Sequence, residues 1–244
     1  MPGFETPARA VVIGASGGIG GALAQALASR ADISEVVAMS RSGNNPVGDK
    51  ILHGPDIDVT DEESVSAAMD RLSQDDPPRL FLIAVGLLSD GDRLQPEKSY
   101  RHQNMSAFQR VFAVNTFGPA LVARHAIDLM PREGRTMLAA LSARVGSVSD
   151  NEIGGWHAYR ASKAALNMLI RNYAIEVGRR NPDFIAVGLQ PGTVDTALSK
   201  PFQGSARTIL SPQDSATRLV EVLAGLGPEA SGRLYDHAGQ SFAP

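Results

Sequence analysis

The chain contains no cysteine. That excludes disulfides, thiolate metal sites and a cysteine nucleophile together. Basic charge is not in excess either: 23 Lys and Arg against 26 Asp and Glu leave a formal net charge of −3. With a pI of about 6.0, no global field gathers nucleic acid or anionic lipid. Long hydrophobic runs are also missing, and the longest, residues 80–88, is far too short to cross a bilayer. The opening Met-Pro-Gly-Phe-Glu-Thr-Pro lacks the charged start and apolar core of a signal peptide. The histidines (His53, His102, His125, His157 and His237) show no metal-ligand spacing, so no metal site is expected. Internal repeats, low-complexity blocks and long linkers are absent as well. What is present, 244 residues with 43% hydrophobic and 20% charged, suffices for a core without staples. The expectation is one soluble, cytoplasmic domain spanning 1–244, with neither nucleic acid nor membrane as partner.

Short apolar runs alternate with helix-period stretches. Ala10 to Ile13 is an apolar run ending in a glycine cluster, and Ile19, Leu23, Ala26 and Leu27 then recur at helical spacing. Further strands are predicted over 35–39, 51–52, 80–86, 136–141, 184–189 and 232–235. Helices are predicted over about 60–72, 106–130, 156–179 and 212–226. Thr60 reads as the N-cap of the first of these, with Asp61, Glu62 and Glu63 in its first turn. Gly118-Pro119 predicts a kink or a boundary inside the long helix. Strand and helix alternating about seven times predict an α/β fold, a single Rossmann-type doubly wound sheet of parallel strands with helices on both faces.

The first loop, Gly14-Ala15-Ser16-Gly17-Gly18-Ile19-Gly20, permits a tight turn and close approach of backbone to a phosphate. The helix that follows points its free N–H groups and positive dipole end at a pyrophosphate. At the end of the second strand, a carboxylate would select NAD and a basic residue NADP. The sequence supplies Ser40-Arg41-Ser42 and no acid before Asp49. Arg41 can grip a 2′-phosphate in a bidentate pair, with serine hydroxyls beside it. NADP(H) is the expected cofactor.

Tyr159 and Lys163 stand four apart on a predicted helix and share a face. A free tyrosine titrates near pH 10, and an adjacent ammonium lowers that value. Such a pair can give a proton to a carbonyl oxygen or take one from an alcohol.

Taken in order, these motifs resemble the short-chain dehydrogenase/reductases over nearly the whole chain. Gly14, Gly18, Ile19 and Gly20 match the family's cofactor loop, with Ser16 inside it. Asp58-Val59 matches the pair at the adenine, and Asn115 in Val114-Asn115-Thr116 the active-site asparagine. Tyr159 to Lys163 matches Tyr-x-x-Ser-Lys, and Pro191-Gly192-Thr193-Val194-Asp195-Thr196 the segment after the sixth strand. Within the family, residues 142–147 and 154–159 resemble the C-factor and Sniffer-like carbonyl reductase branch. The resemblance implies that Tyr159 exchanges the proton, and that Lys163 lowers its pKa and bonds the nicotinamide ribose. It also implies that Asn115 holds a relay water, that Val194 and Thr196 hold the carboxamide and nearby phosphate, and that a serine polarises the substrate carbonyl.

Three positions depart from the pattern. Ile13 replaces a hydroxyl residue before the glycine loop. Ile83-Ala84-Val85-Gly86 replaces Asn-Asn-Ala-Gly, so Ala84 lacks the amide that ties central strands, although the backbone of Ala84, Val85 and Gly86 can still line the adenosine site. Counting back from Gly146 puts Ala143 where the family has its serine. A bulge near the strand end would turn Ser142 inward instead, and Ser147 is the fallback. Trp156 reads as a packing residue and His157 as a solvated helix start. Ser199 to Leu210 reads as a substrate lid with Phe202 at the pocket. The resemblance admits a homodimer through helices around 106–130 and 156–180. Two functions compete: an oxidoreductase acting on a small carbonyl or alcohol, and a nucleotide-binding regulatory or signalling protein with little turnover.

Overall fold

The computed structural model describes residues 7–91, 93–205 and 208–244. Its strands are β1 (Ala8–Ile13), β2 (Ile33–Met39), β3 (Ile51–His53), β4 (Leu80–Ile83), β5 (Thr136–Leu141), β6 (Phe184–Gln190), β7 (Arg233–Asp236) and β8 (Ser241–Phe242). They form one sheet in the order β3-β2-β1-β4-β5-β6-β7-β8. All pairs are parallel except β7 with β8. The antiparallel eighth strand was not expected from the sequence. The chain order reverses between β1 and β4, the switch point at which such sheets open a crevice for ligands.

Side chains of β5 show how the sheet makes two cores. Met137, Ala139 and Leu141 join one buried cluster, packed under α1 (Gly18–Ala28) and α6 (Pro212–Gly225). Leu138 and Ala140 join the other, under α2 (Glu62–Leu72), α4 (Gly118–Leu129) and α5 (His157–Gly178). Burial on both faces explains why Leu80 to Ile83 is uninterruptedly apolar. Phe81 and Phe184 are among the largest fully buried side chains, and truncating either to alanine costs about 3–5 kcal/mol.

Several boundaries differ from expectation. The α2 cap is Asp61, whose carboxylate accepts from the Glu63 and Ser64 amides. Thr60 instead donates its hydroxyl to Asp58. β4 stops at Ile83, so Ala84, Val85 and Gly86 leave the sheet as irregular backbone. The long helix is split: α3 (Met105–Phe112) passes through a π-helical turn, Ala113–Phe117, into α4. Gly118 permits the close packing there, because a Cβ on it would lie 2.7 Å from the Val59 side chain.

Candidate active site

A cleft of about 560 Å³ opens at the carboxyl ends of β1, β2 and β4. Gly14, Ser16, Ser40, Arg41, Asp58, Val59, Ala84, Val85 and Gly86 all line it. The glycine turn is set by close approach. Gly14 has φ +88°, and a Cβ there would sit 2.7 Å from the Ala84 carbonyl oxygen. A Cβ on Gly20 would lie 2.1 Å from the Gly14 carbonyl oxygen, so only glycine lets α1 start on top of the turn. Ile19 is half-buried and packs on the core below. A Cβ on Gly18 would lie 3.1 Å from the Thr196 methyl, so the segment after β6 comes up against the glycine loop.

At the far lip, Asp58 accepts from the Thr60 hydroxyl and amide and pairs with Arg41 at 3.7 Å. The Thr60 hydroxyl, ahead of the Arg41 charge, holds the Asp58 carboxyl below its ordinary range, against an opposing push from burial. Arg41 is 78% exposed and lines the cleft at this lip. Ser40 is buried, and its hydroxyl has no partner among the described residues. A cradle that a Cβ would fill, an orphaned hydroxyl and an exposed guanidinium together fit a phosphate-bearing nucleotide.

At the other end, two polar groups converge on Gly86. A Cβ built there would be 3.9 Å from both Asn115 Oδ1 and Lys163 Nζ. Asn115 is fully buried in the π turn; its Oδ1 accepts from the Leu87 amide at 2.7 Å and its Nδ2 donates to the Leu87 carbonyl and to Ser162 Oγ. Ser162 in turn donates to the Tyr159 carbonyl. Lys163 Nζ donates to the Leu141 carbonyl at 2.8 Å and lies 6.0 Å from the centre of the Tyr159 ring. Burial depresses the Lys163 ammonium to about 8 and pushes the Tyr159 phenol up to about 12. The expected lowering of Tyr159 by its lysine is therefore reversed in this structure. Removal from water outweighs an ammonium held off by its own carbonyl partner.

Ser142 does not turn inward. Its amide continues the β5–β6 ladder to the Leu189 carbonyl, so no bulge forms. The side chain stays on the face of Leu138 and Ala140, where its hydroxyl donates to Asn167 Oδ1 at 2.6 Å. Asn167 lines a separate cavity of about 610 Å³ beside β7 and β8. Ser147 accepts from the Asp150 amide. Among the described residues, neither serine hydroxyl is bonded to Tyr159.

Beyond β6, Gly192 has φ +84°, and the Pro191 carbonyl accepts from Ser215. Val194 pairs with Leu210 in a parallel bridge that closes the base of the segment between them. Lys200–Ser205 forms a 3-10 turn there, while Ala206 and Arg207 of the expected lid lie outside the described residues. Phe202 stands edge-on to Trp156 at 5.3 Å, and Trp156 edge-on to Tyr159 at 6.2 Å. Trp156 thus packs between Tyr159 and Phe202. Arg110, which the sequence reading passed over, reaches across the cleft from α3 to pair with Asp90; nothing in its helical position marked it. Among the described residues no cluster of metal-ligating side chains occurs, and no helix is long and apolar enough to cross a membrane.

The model of the short chain dehydrogenase family matches residues 8–206. The chain belongs to the short-chain dehydrogenase family. A 1-hydroxy-2-glutathionyl-2-methyl-3-butene dehydrogenase of Rhodococcus sp. (strain AD45) is 31% identical, over 95% of this chain and 97% of its own. The C-signal protein of Myxococcus xanthus is 36% identical, over 53% of this chain and 74% of its own. Among solved structures, an NADP-bound short-chain dehydrogenase/reductase from Burkholderia multivorans superposes with a TM-score of 0.81 at 25% identity, covering 98% of this chain and 100% of that one. The NADPH-bound carbonyl reductase from chicken fatty liver shares the fold at a TM-score of 0.82 and 21% identity, over 99% and 96% of the two chains.

Proposed function

We propose that the chain is an NADP(H)-dependent oxidoreductase interconverting a small carbonyl compound and its alcohol, with Tyr159 as the acid/base. The observation that carries this reading is the convergence of Asn115, Lys163 and Gly86 beside Tyr159, at the end of a cleft whose other end holds the glycine turn and Arg41. The fold alone would not carry it.

The glycine turn and α1 would hold the pyrophosphate, Arg41 and Ser40 a 2′-phosphate, and Asp58 and Val59 the adenine. Ala84, Val85 and Gly86 would line the adenosine, Lys163 would reach the nicotinamide ribose, and Pro191, Gly192, Val194 and Thr196 would flank the nicotinamide. A bound dinucleotide would supply or accept the hydride. In reduction, Tyr159 would give its phenolic proton to the substrate carbonyl oxygen; in oxidation it would take the hydroxyl proton back. Asn115 anchors the π turn and keeps the Lys163 side of the pocket polar. The NADP-bound Burkholderia relative and the dehydrogenase from Rhodococcus support this reading. We infer further that the whole chain acts as one domain in the cytoplasm, alone or as a homodimer.

The test is separate titration with NADPH and NADH, with Arg41→Ala alongside. NADPH preference that the variant loses, by about tenfold or more, is expected from removing a charge-assisted bidentate contact. Tighter binding of NADH overturns the NADP assignment. Carbonyl reduction by the wild type that Tyr159→Phe abolishes is expected next. The orientation of Ser142 favours a second reading, a nucleotide-binding regulatory protein; NADPH binding with no carbonyl turned over would support it.

A further inference from the structure

Trp156 is the one non-glycine residue with positive φ among the described residues, at φ 50° and ψ 43°. It follows Gly154 and Gly155, both at φ +68°, so three consecutive left-handed residues lead into α5. A bulky side chain stays in that region only where its surroundings over-determine it, and such positions cluster at working sites. Trp156 also stands at the N-cap of α5 and offers no side-chain acceptor to the first turn.

The missing acceptor comes from elsewhere in the chain. Glu97, from the irregular segment between β4 and α3, is only 4% exposed. Its carbonyl oxygen accepts from the Trp156 amide at 2.6 Å. Its carboxylate Oε2 accepts from the Ala158 amide, one residue before Tyr159, at 3.3 Å. The Glu97 carbonyl is also what a Cβ on Gly155 would meet, at 3.4 Å. Main chain and side chain of one residue therefore clamp both ends of the strained turn. The side chain plays the part of an N-cap residue from a remote loop.

We infer that Glu97 is a positioning residue that sets the start of α5, and through it the Tyr159 hydroxyl and the Trp156 ring beside it. The inference rests on the reading of Tyr159 as the acid/base. Without the Glu97 carboxylate only the main-chain half of the clamp remains; the turn then relaxes out of the left-handed region and the indole leaves its edge-on contacts with Tyr159 and Phe202.

The chain has a single tryptophan, so its emission reports on this turn alone. Glu97→Ala is expected to shift Trp156 emission to the red and lower kcat by about tenfold or more, as small misplacements of reacting groups do, with NADPH affinity and its KM unchanged. Glu97→Gln keeps an acceptor for the Ala158 amide and should recover most of both losses. Where the alanine variant does not fold, Glu97→Asp carries the same test, because its carboxylate is one methylene too short to reach that amide. Any other combination overturns the inference: unchanged emission, unchanged kcat, altered NADPH affinity, or a glutamine variant as impaired as alanine. A wild type that turns over no carbonyl overturns the functional reading instead, and Trp156 emission with NADPH affinity still decides the role of Glu97.

Discussion

Lys163 Nζ donates to the Leu141 carbonyl at 2.8 Å, and the strand that carries Leu141 is the one whose next residue, Ser142, turns its hydroxyl away to Asn167. The end of β5 thus steadies the lysine with its backbone and contributes no side-chain hydroxyl to Tyr159. The consequences are measurable.

A buried lysine whose folded pKa is depressed from 10.5 to about 8 costs stability at neutral pH, on the order of 3 kcal/mol. The sign follows from proton counting: between pH 8 and 10.5 the unfolded chain binds more protons, so stability rises with pH. Lys163→Met removes this cost and loses the bond to Leu141. A net gain of roughly 1–2 kcal/mol at pH 7 is expected, with turnover abolished. Thermal melts at pH 7 and 9.5 check it, since the gain should shrink at the higher pH. A destabilised variant at pH 7 contradicts the assignment.

Tyr159, raised to about 12 by burial, stays protonated throughout the neutral range and, on the proposed function, acts there as the proton donor. Reduction should therefore be nearly independent of pH from 6 to 9 as far as this group is concerned. Oxidation of the alcohol needs the phenolate, and its rate should climb about tenfold per pH unit over the same range. Initial rates in both directions, at saturating cofactor, make the comparison. The same shift means folding stability is undiminished below pH 10 and falls between pH 10 and 12, where the unfolded phenol ionises first.

Ser142→Ala should leave turnover within about twofold of wild type and lower stability by about 1–3 kcal/mol, because a buried acceptor, Asn167 Oδ1, loses its donor. Urea denaturation and steady-state rates on one preparation separate the two effects. A large loss of kcat with unchanged stability would return Ser142 to the reaction.

Gly14→Ala places a methyl 2.7 Å from the Ala84 carbonyl oxygen at a residue with φ +88°. Backbone strain and the clash should cost roughly 1–3 kcal/mol and weaken NADPH binding by widening the mouth between β1 and β4. A fluorescence titration paired with a melting curve tests this. Gly17→Ala, whose Cβ would meet only the Gly14 carbonyl oxygen at 3.2 Å, should be milder.

The alternation of buried runs and periodic stretches made seven strands and their helices legible, most clearly β1, β4, β5 and β6, which are buried along almost their whole length. β8 was not, because two residues, Ser241 and Phe242, have no periodicity to read. Thr60 and Asp61 are equally good caps in sequence, and only the competing bond from Thr60 to Asp58 decides between them. In the site, the glycines, Asn115, Tyr159 and Lys163 were visible as spaced motifs. The direction of Ser142 was not, because a bulge and an unbroken ladder place the same residue on opposite faces. Glu97 carried no signal either, since its partners, the Trp156 and Ala158 amides, are brought to it by tertiary structure alone.

The bridge between Val194 and Leu210 closes a loop at its own root. With both ends held, lengthening or replacing the intervening residues costs only a slowly growing closure entropy, about 0.6 kcal/mol per doubling, and leaves β6 and α6 where they are. If that loop covers the substrate, as the sequence reading has it, selection, natural or in the laboratory, can exchange one cover for another while Tyr159, Lys163 and the cleft stay intact. On that reading, substrate range becomes an interchangeable part of an otherwise fixed machine.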